Sequence, residues 1–219
     1  MPESLFFQLE EEKRARIIKA GIEEFGRQSY QEASTNHLVK VAGISKGSLF
    51  KYFASKEDLY FYLLDQVIND LIAGVSGEIE SLQGDLFSVI LRFAEVEFRW
   101  HFHNPDSYQL MKKAFSDQAS VMYPKILERY NVTGDTMYEQ ILKGVDTKGL
   151  RWDKNKTMKI IKWVLEGFNE EFMKRYQHME DVTVIKKDYM KELTEYLDMI
   201  RVGVDQEGQN SNLGGDGHV

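Results

Sequence analysis

Cysteine is absent from the 219-residue sequence, which excludes disulfide bonds, thiolate metal sites and cysteine nucleophiles. Its absence also fits the reducing interior of a cell. Proline occurs only three times, and Pro105 and Pro124 fall where long helical patterns pause. Strand patterns are scarce, because no run of alternating β-branched residues and no Asn-Gly or Asp-Gly turn separates apolar runs. We therefore expect an all-α chain.

Long hydrophobic runs are missing as well. No stretch of about 18 apolar residues is available to span a bilayer. The N-terminus is acidic and lacks a basic start followed by an apolar run, so no signal peptide is predicted. Hydrophobic residues still make up 42% of the chain, which is enough for a packed core. These features predict a soluble, cytoplasmic protein without a membrane partner.

Basic residues are too few to balance the acidic ones, and the net charge is −7. The excess of acid lies entirely in residues 61–219, because residues 1–60 are neutral in sum. Within residues 27–56, Glu32 is the single acidic residue against five basic ones. A local basic patch can bind phosphate although the whole chain is acidic. An ordinary solvated surface is the alternative interpretation.

Apolar residues recur at three- and four-residue spacing along most of the chain, which is typical of amphipathic helices. The first such helix is predicted at residues 10–27. In the C-terminal two-thirds, helices are predicted at residues 85–103, 105–116, 118–131, 134–148, 154–179 and 183–201. After Val204 the composition turns to Gly, Asn, Gln and Asp, which predicts a disordered tail over residues 204–219.

A short segment after the first helix carries the strongest functional signal. Ser34 and Thr35 form an N-cap signal for a short helix, and Gly43 is placed to end that helix in a left-handed turn. Ser45 is a suitable N-cap for a second short helix over residues 46–52. Two short helices joined by a tight, glycine-containing turn follow the helix-turn-helix plan.

The packing expected at this corner leaves one face of the second helix free. The side chains expected to bury together are Leu38, Val41, Leu49 and Phe53. The start of the second helix is short, polar and small-residued, and the major groove is wide enough to admit such a helix. A third helix, capped by Ser55, is predicted to run to about Ile72.

Groups suited to phosphate surround the corner. We expect Thr35 to cap a helix N-terminus, where its hydroxyl and free backbone N–H groups favour an anion. Lys56 lies in the first turn of the next helix, where the helix dipole disfavours a cation, so we expect it to reach outward to a phosphate. Tyr52 places a phenol at the edge of the same surface. The candidate DNA-binding residues are Thr35, Ser45, Lys46, Gly47, Ser48, Phe50, Lys51, Tyr52 and Lys56.

These residues belong to a long motif with fixed spacing. It runs as Thr35, Leu38-Val39, Ala42-Gly43-Ile44-Ser45, Gly47-Ser48-Leu49-Phe50, Tyr52-Phe53, Lys56-Glu57 and Leu59. In this arrangement the segment closely resembles the TetR family of bacterial transcriptional regulators over about residues 10–65. Two positions depart from the family pattern. Phe50 stands where the family usually has tyrosine, which removes a hydroxyl contact, and Ser29 stands where a glycine commonly ends the first helix.

The resemblance implies the organisation of the whole chain. It implies a helix-turn-helix domain built as a three-helix bundle over residues 1–55 and a larger helical domain over residues 56–203. The second domain would bind an effector and form a homodimer through the helices predicted at 154–179 and 183–201. The implied function is repression from palindromic double-stranded DNA, with release by a small-molecule effector of unknown identity.

Aromatic and methionine side chains of the middle helices are candidates for lining the effector pocket, because such pockets are mostly apolar with a few polar groups. The candidates are Phe98, Phe102, Tyr108, Met111, Phe115, Met122, Tyr123, Tyr138 and Trp163. For each of them, a place in the ordinary core is the alternative.

Two other classes of function remain open at this point. An enzyme would need a Ser, Thr or Lys nucleophile beside a histidine, and none of the five histidines lies in a recognised catalytic setting. His101 and His103 are two residues apart and point in different directions on a helix. No Gly-rich phosphate loop is present, and we predict no catalytic residue, metal or cofactor. The second class is a protein-interaction module that keeps the helical corner but does not bind DNA.

Overall fold

The computed structural model describes residues 2–79, 83–130, 145–146, 149–176 and 182–204. Over these residues the chain forms helices with one pair of two-residue strands, which confirms the predicted all-α class. In chain order the elements are α1 (Ser4–Phe7), α2 (Glu11–Arg27), α3 (Thr35–Ala42), α4 (Lys46–Tyr52), α5 (Lys56–Ile79), β1 (Gly84–Asp85), α6 (Leu86–His103), α7 (Pro105–Ser116), α8 (Tyr123–Tyr130), β2 (Val145–Asp146), α9 (Lys154–Arg175) and α10 (Val182–Val204). None of the helices in these ranges is long and apolar enough to cross a membrane.

The first of two compact units contains α1 to α4, most of α5, the end of α6, and helices α7 and α8. Its core is formed by the apolar faces of these helices, with α2 packed against both α3 and α7. A Cβ atom at Gly26 would lie 2.8 Å from the backbone oxygen of Asp106, so the close approach of α2 and α7 requires a glycine at this position. The helical corner formed by α3 and α4 is therefore supported by the packed helices of this unit.

The second unit contains the first part of α6, helices α9 and α10, and the parallel pair of β1 and β2. Tyr189 of α10 lies at its centre, with its ring 4.5 Å from that of Phe98 and 5.1 Å from that of Phe168. The Tyr189 hydroxyl donates a hydrogen bond of 2.6 Å to the side-chain oxygen of Asn169. Aromatic packing and one satisfied phenol thus join α9 and α10.

The observed elements follow the predicted helices with particular differences. The helix after Ser55 runs to Ile79 rather than to about Ile72, although it contains Gly74. A Cβ atom at Gly74 would lie 3.1 Å from the Trp100 ring, so close packing at this point supports a helix that glycine alone would weaken. The helix predicted at 118–131 is only Tyr123–Tyr130, and Pro124 is the second residue of that helix, near the first-turn position where proline is tolerated.

Three further predictions are tested only in part or not at all by the described residues. Most of the helix predicted at 134–148 lies outside them, and its described part, Val145–Asp146, is a strand instead. The tail predicted at 204–219 also lies outside them, apart from Val204, which ends α10. The domain boundary predicted after residue 55 stays a prediction. The first compact unit, which is defined by packing, includes residues on both sides of that position.

Candidate DNA-binding surface

The turn between α3 and α4 has the geometry that the sequence predicts. Gly43 has a φ of +67°, a left-handed conformation that L side chains rarely adopt. Its N–H donates to the backbone oxygen of Lys40 at 3.3 Å, and the N–H of Ile44 donates to that of Val39 at 3.0 Å. These bonds satisfy carbonyl groups at the end of α3 and allow the chain to turn directly into α4.

Serine caps begin all three helices around the corner. Ser45 accepts a hydrogen bond of 3.0 Å from the Ser48 N–H, and Ser55 accepts one of 3.0 Å from the Asp58 N–H. At α3 the cap is Ser34, whose hydroxyl accepts from the His37 N–H at 3.2 Å. Thr35 is therefore the first residue inside α3 and not its cap. This corrects the cap assignment for Thr35 but leaves it at the helix N-terminus.

A buried carboxylate that the sequence analysis did not identify joins α2 to the start of α3. Glu24 is only 8% exposed, and its side chain accepts a hydrogen bond of 2.6 Å from the Ser34 N–H. Its other carboxylate oxygen lies 2.6 Å from His37 Nδ1. A negative charge near a helix N-terminus is favourable. The available signal was the position of Glu24 on the apolar face of α2, in register with Ile17 and Gly21.

The outer face of α4 is exposed as predicted. Leu49 is 1% exposed and anchors the helix, whereas Phe50 beside it is 41% exposed. Ser48 is half-buried, and its hydroxyl lies 2.9 Å from that of Ser45. The exposed residues of the predicted set at this face are Ser45, Lys46, Gly47, Phe50 and Lys51. The corner thus presents a small-residued helix start with two lysines and one aromatic ring.

Val41 was expected to be buried with Leu38, Leu49 and Phe53, but it lies outside this cluster. The buried residues of α3 are Leu38, Val39 and Ala42, and Val41 is 51% exposed. Its expected neighbours Leu49 and Phe53 are both 1% exposed. The inward face of α3 is set by the four-residue spacing from Leu38 to Ala42, and Val41 falls outside that stripe.

Lys56 turns inward, so the expectation that it reaches outward is wrong. Its ammonium group donates a hydrogen bond of 2.6 Å to the backbone oxygen of Ala33 and one of 3.4 Å to that of Gln31. It also lies 4.8 Å from the centre of the Tyr30 ring. Burial lowers the pKa of Lys56, and the nearby charge of Glu24 partly offsets this effect. Lys56 therefore fastens the loop before α3 to the start of α5.

Tyr52 is also placed differently from the expectation of a phenol at the edge of the surface. It is only 6% exposed, and its ring centre lies 6.0 Å from that of Phe6. The physical reason is α1, which the periodicity of the sequence did not predict because it has only four residues. Tyr52 is thus part of the core behind α4 in this structure.

The effector-pocket candidates are divided between the two compact units. Phe98 and Trp163 belong to the second unit, where Phe98 is buried and Trp163 is 59% exposed on α9. Tyr138 lies outside the described residues. The remaining candidates belong to the first unit, with Tyr108 and Met122 buried, Phe115 36% exposed, and Phe102, Met111 and Tyr123 half-buried. The exposure of Trp163 and the core position of Met122 do not fit the lining of a cavity.

Two open grooves lie on the first unit, and none of these candidates lines either of them. One groove, of about 400 Å³, is bounded by α2, α5 and the corner between α6 and α7. Two titratable groups on α6 have displaced pKa values, and of these Glu97 is half-buried and His101 is buried. Burial, with a smaller effect from Glu166, raises the pKa of Glu97 to about 7, and burial lowers that of His101 to about 3.

Among the residues that the structure describes, no three His, Asp or Glu side chains form a metal site.

Comparison with known proteins supports the assignment suggested by this geometry. Residues 17–63 match the family model described as bacterial regulatory proteins, tetR family. Residues 84–203 match the family model described as the tetracyclin repressor-like C-terminal domain. The two matches lie on either side of the junction between α5 and α6, and the second alone covers more than half of the chain.

Individual relatives agree with these matches. The transcriptional activator FasR of Mycolicibacterium smegmatis is 32% identical over 65 residues, which are 30% of each chain. The regulator EthR of the same species is 30% identical over 88 residues, which are 40% of this chain and 41% of EthR. The matched segments thus span less than half of these relatives.

The fold extends over nearly the whole chain. A crystal structure of a TetR family regulator from Chloroflexus aurantiacus aligns with a TM-score of 0.74 at 23% identity, covering 94% of this chain and 99% of that one. At this identity the similarity shows the fold alone, and the family assignment rests on the two family models. The chain therefore belongs to the TetR family of bacterial regulatory proteins, which are DNA-binding regulators of transcription.

Proposed function

We propose that the protein is a homodimeric repressor that binds palindromic operator DNA through α3 and α4 and is released by a small-molecule effector. The observation that carries this proposal is the exposed outer face of α4, which is held by a serine cap at one end and by buried Leu49 behind it. A helix presented in this way fits the major groove, where base edges can be read.

The roles within this face follow from its chemistry. Lys46 and Lys51 are exposed cations that would contact phosphates or the acceptor edge of guanine. Phe50 is an exposed ring suited to contact with a thymine methyl group. Gly47 lets the helix backbone approach the duplex, since nothing but the Ser45 hydroxyl lies within 4 Å of where its Cβ would be.

Selection of bound duplexes from a random pool tests this proposal. We expect a palindromic consensus, and the double substitution of Lys46 and Lys51 by Glu is expected to remove most of the affinity together with its salt dependence. The same double change at Lys19 and Lys125, which are exposed on α2 and α8 and lie outside both the α3–α4 corner and the helices α9 and α10, is the control for net charge. An unenriched pool, or equal losses in the two variants, would contradict DNA reading by α4. Such a result would favour a protein-interaction module.

A second copy of the chain is the proposed partner of α9 and α10. Large apolar side chains are exposed on both helices, including Ile160 (44%) and Trp163 (59%) on α9 and Met199 (72%) and Val202 (66%) on α10. Those on α9 share one face with Gly167, where a Cβ atom would point into open space. Exposed apolar surface of this kind is typical of an interface, and self-association through it gives a twofold dimer.

The substitution Trp163→Glu tests the dimer. We expect it to convert the protein to a monomer in sedimentation experiments and to weaken binding to the palindromic duplex. Val121→Glu is the matched control, because Val121 is similarly exposed (62%) but lies in the first unit. If Trp163→Glu remained dimeric, α9 would not be the interface.

The sign of regulation needs its own experiment, because the relative FasR carries the name of an activator. We propose repression, for which deletion of the gene is expected to raise expression of a reporter placed behind the selected operator. A fall in expression would show activation instead. Release by an effector is tested by adding the small-molecule fraction of a cell extract to the complex of protein and operator. An undiminished complex would count against it.

A further inference from the structure

Residues Glu3 to Phe7 precede the helix-turn-helix and have no part in the DNA-binding surface described above. They contain two adjacent phenylalanines with opposite environments. Phe6 is fully buried, whereas Phe7 is 53% exposed. Since a buried aromatic ring contributes strongly to packing, the contacts of Phe6 identify the element that this segment supports.

Phe6 packs behind the C-terminal end of α4. Its ring centre lies 4.8 Å from that of Phe53 and 6.0 Å from that of Tyr52. On its other side it meets Tyr62 of α5, at 5.4 Å and nearly perpendicular. Phe6 therefore fills the space between the recognition helix and the long helix that follows it.

A backbone hydrogen bond adds to this packing. The N–H of Glu3 donates to the backbone oxygen of Tyr52, the last residue of α4, at 2.8 Å. The final carbonyl groups of a helix lack partners within the helix. A helix of only seven residues is also unstable alone and depends on its packing. The N-terminal segment thus supplies both a hydrogen-bond donor and an apolar anchor to α4.

We propose that Phe6 is a positioning residue for DNA recognition, which acts by keeping the C-terminal end of α4 ordered against α5. This inference rests on the proposed function of α4. Without the Phe6 ring, the last turn of α4 loses its anchor and opens more often. The population with a formed recognition helix falls, and the apparent DNA affinity falls by the same fraction.

Three variants of the full chain test this role. Phe6→Ala is expected to bind the duplex selected by the wild type about tenfold more weakly, equivalent to about 1.4 kcal/mol. Phe7→Ala, at the exposed neighbour, is expected to bind as the wild type does. Phe6→Leu, which keeps much of the apolar volume, is expected to restore most of the affinity and serves as the graded variant if Phe6→Ala does not fold.

Hydrogen exchange provides a readout that does not depend on DNA. In Phe6→Ala the amides of Leu49 and Phe53 are expected to exchange faster relative to those of α7. Ile126→Ala, a buried change in the same core on α8, is the control for general destabilisation and is expected to lack this local pattern. Unchanged relative exchange in α4, or a loss of affinity equal to that of Ile126→Ala at equal stability, would overturn the inference. If the wild type bound no duplex, the proposed function would fail, while the exchange experiment would still judge the anchor.

Discussion

At the scale of single residues, lysines around the corner take opposite directions. Lys46 and Lys51 are exposed on α4, whereas Lys56 is held over Tyr30 by two backbone carbonyl groups. Two of the exposed lysines at this corner are therefore on α4, and Lys56 is not among them. Substituting Lys56 would act on the loop before α3 and so on the position of α3, in addition to any effect on charge.

Phe50 offers a direct test of the missing hydroxyl. The substitution Phe50→Tyr adds the phenol hydroxyl that the family usually has at this exposed position, which we propose to contact DNA. We expect about two- to twelvefold tighter binding to the selected duplex, because one added hydrogen bond contributes about 0.5–1.5 kcal/mol. Phe115→Tyr is the control, since Phe115 is comparably exposed (36% against 41%) on α7. Equal affinity of the wild type and Phe50→Tyr in a titration would show that position 50 does not meet a polar group of the duplex.

Glu24 is expected to matter more for stability than any exposed carboxylate. Glu24→Ala removes the acceptor of the Ser34 N–H and the partner of His37, which should cost about 1.5–3 kcal/mol in urea unfolding. Glu12→Ala removes an exposed ion pair with Arg16 and should cost less than about 1 kcal/mol. Similar losses in the two variants would mean that the buried carboxylate does not stabilise the start of α3.

At the scale of elements, the sequence predicted the turn between α3 and α4 from neighbouring residues, but it did not predict packing between residues that are distant in sequence. The left-handed Gly43 and the serine caps at 45 and 55 are determined by neighbouring residues, and the structure confirms them. The length of α5 depends on Trp100 packing against Gly74, and the burial of Tyr52 depends on Phe6. Neither partner is a neighbour in sequence, so periodicity alone could not have identified them.

The packing of α2 on α7 leads to a prediction with a built-in control. Gly26→Ala would place a Cβ atom 2.8 Å from the Asp106 backbone oxygen, so the helices must separate. We expect a loss of about 1–3 kcal/mol in the free energy of unfolding. At Gly77, in α5, nothing lies within 4 Å of the Cβ position. Gly77→Ala should therefore stabilise the protein by up to about 1 kcal/mol through helix propensity. Stabilisation by both changes would contradict close packing at Gly26.

At the scale of the whole molecule, charge is unevenly distributed. Residues 1–60 are neutral in sum, and the remainder carries the entire net charge of −7. For the proposed regulator, this arrangement leaves the DNA-binding part free of the repulsion that an acidic surface exerts on phosphate. A response to pH is expected from α6, because desolvation raises the pKa of Glu97 to about 7 and lowers the pKa of His101 to about 3.

These two groups affect stability in opposite directions. Glu97 has a pKa of about 7 in the folded chain against 4.5 ordinarily, so the folded state binds more protons between these values. Its contribution is fully present below about pH 4.5 and is lost as the pH rises through 7. His101 has a pKa of about 3 against 6.5 ordinarily. Its contribution is present above pH 6.5 and is lost as the pH falls towards 3.

Glu97→Gln should therefore separate the two effects. Glutamine cannot ionise, so the variant avoids the cost of a desolvated, half-buried carboxylate at high pH, and its stability relative to the wild type should increase from pH 5 to pH 8. At pH 4.5 the difference should be smallest, because the wild-type side chain is then neutral in the folded state. Glu195→Gln, at an exposed position on α10, is the control and should show no such trend in urea unfolding. A constant difference between wild type and Glu97→Gln across this range would mean that the Glu97 carboxyl ionises as freely in the folded chain as in the unfolded one.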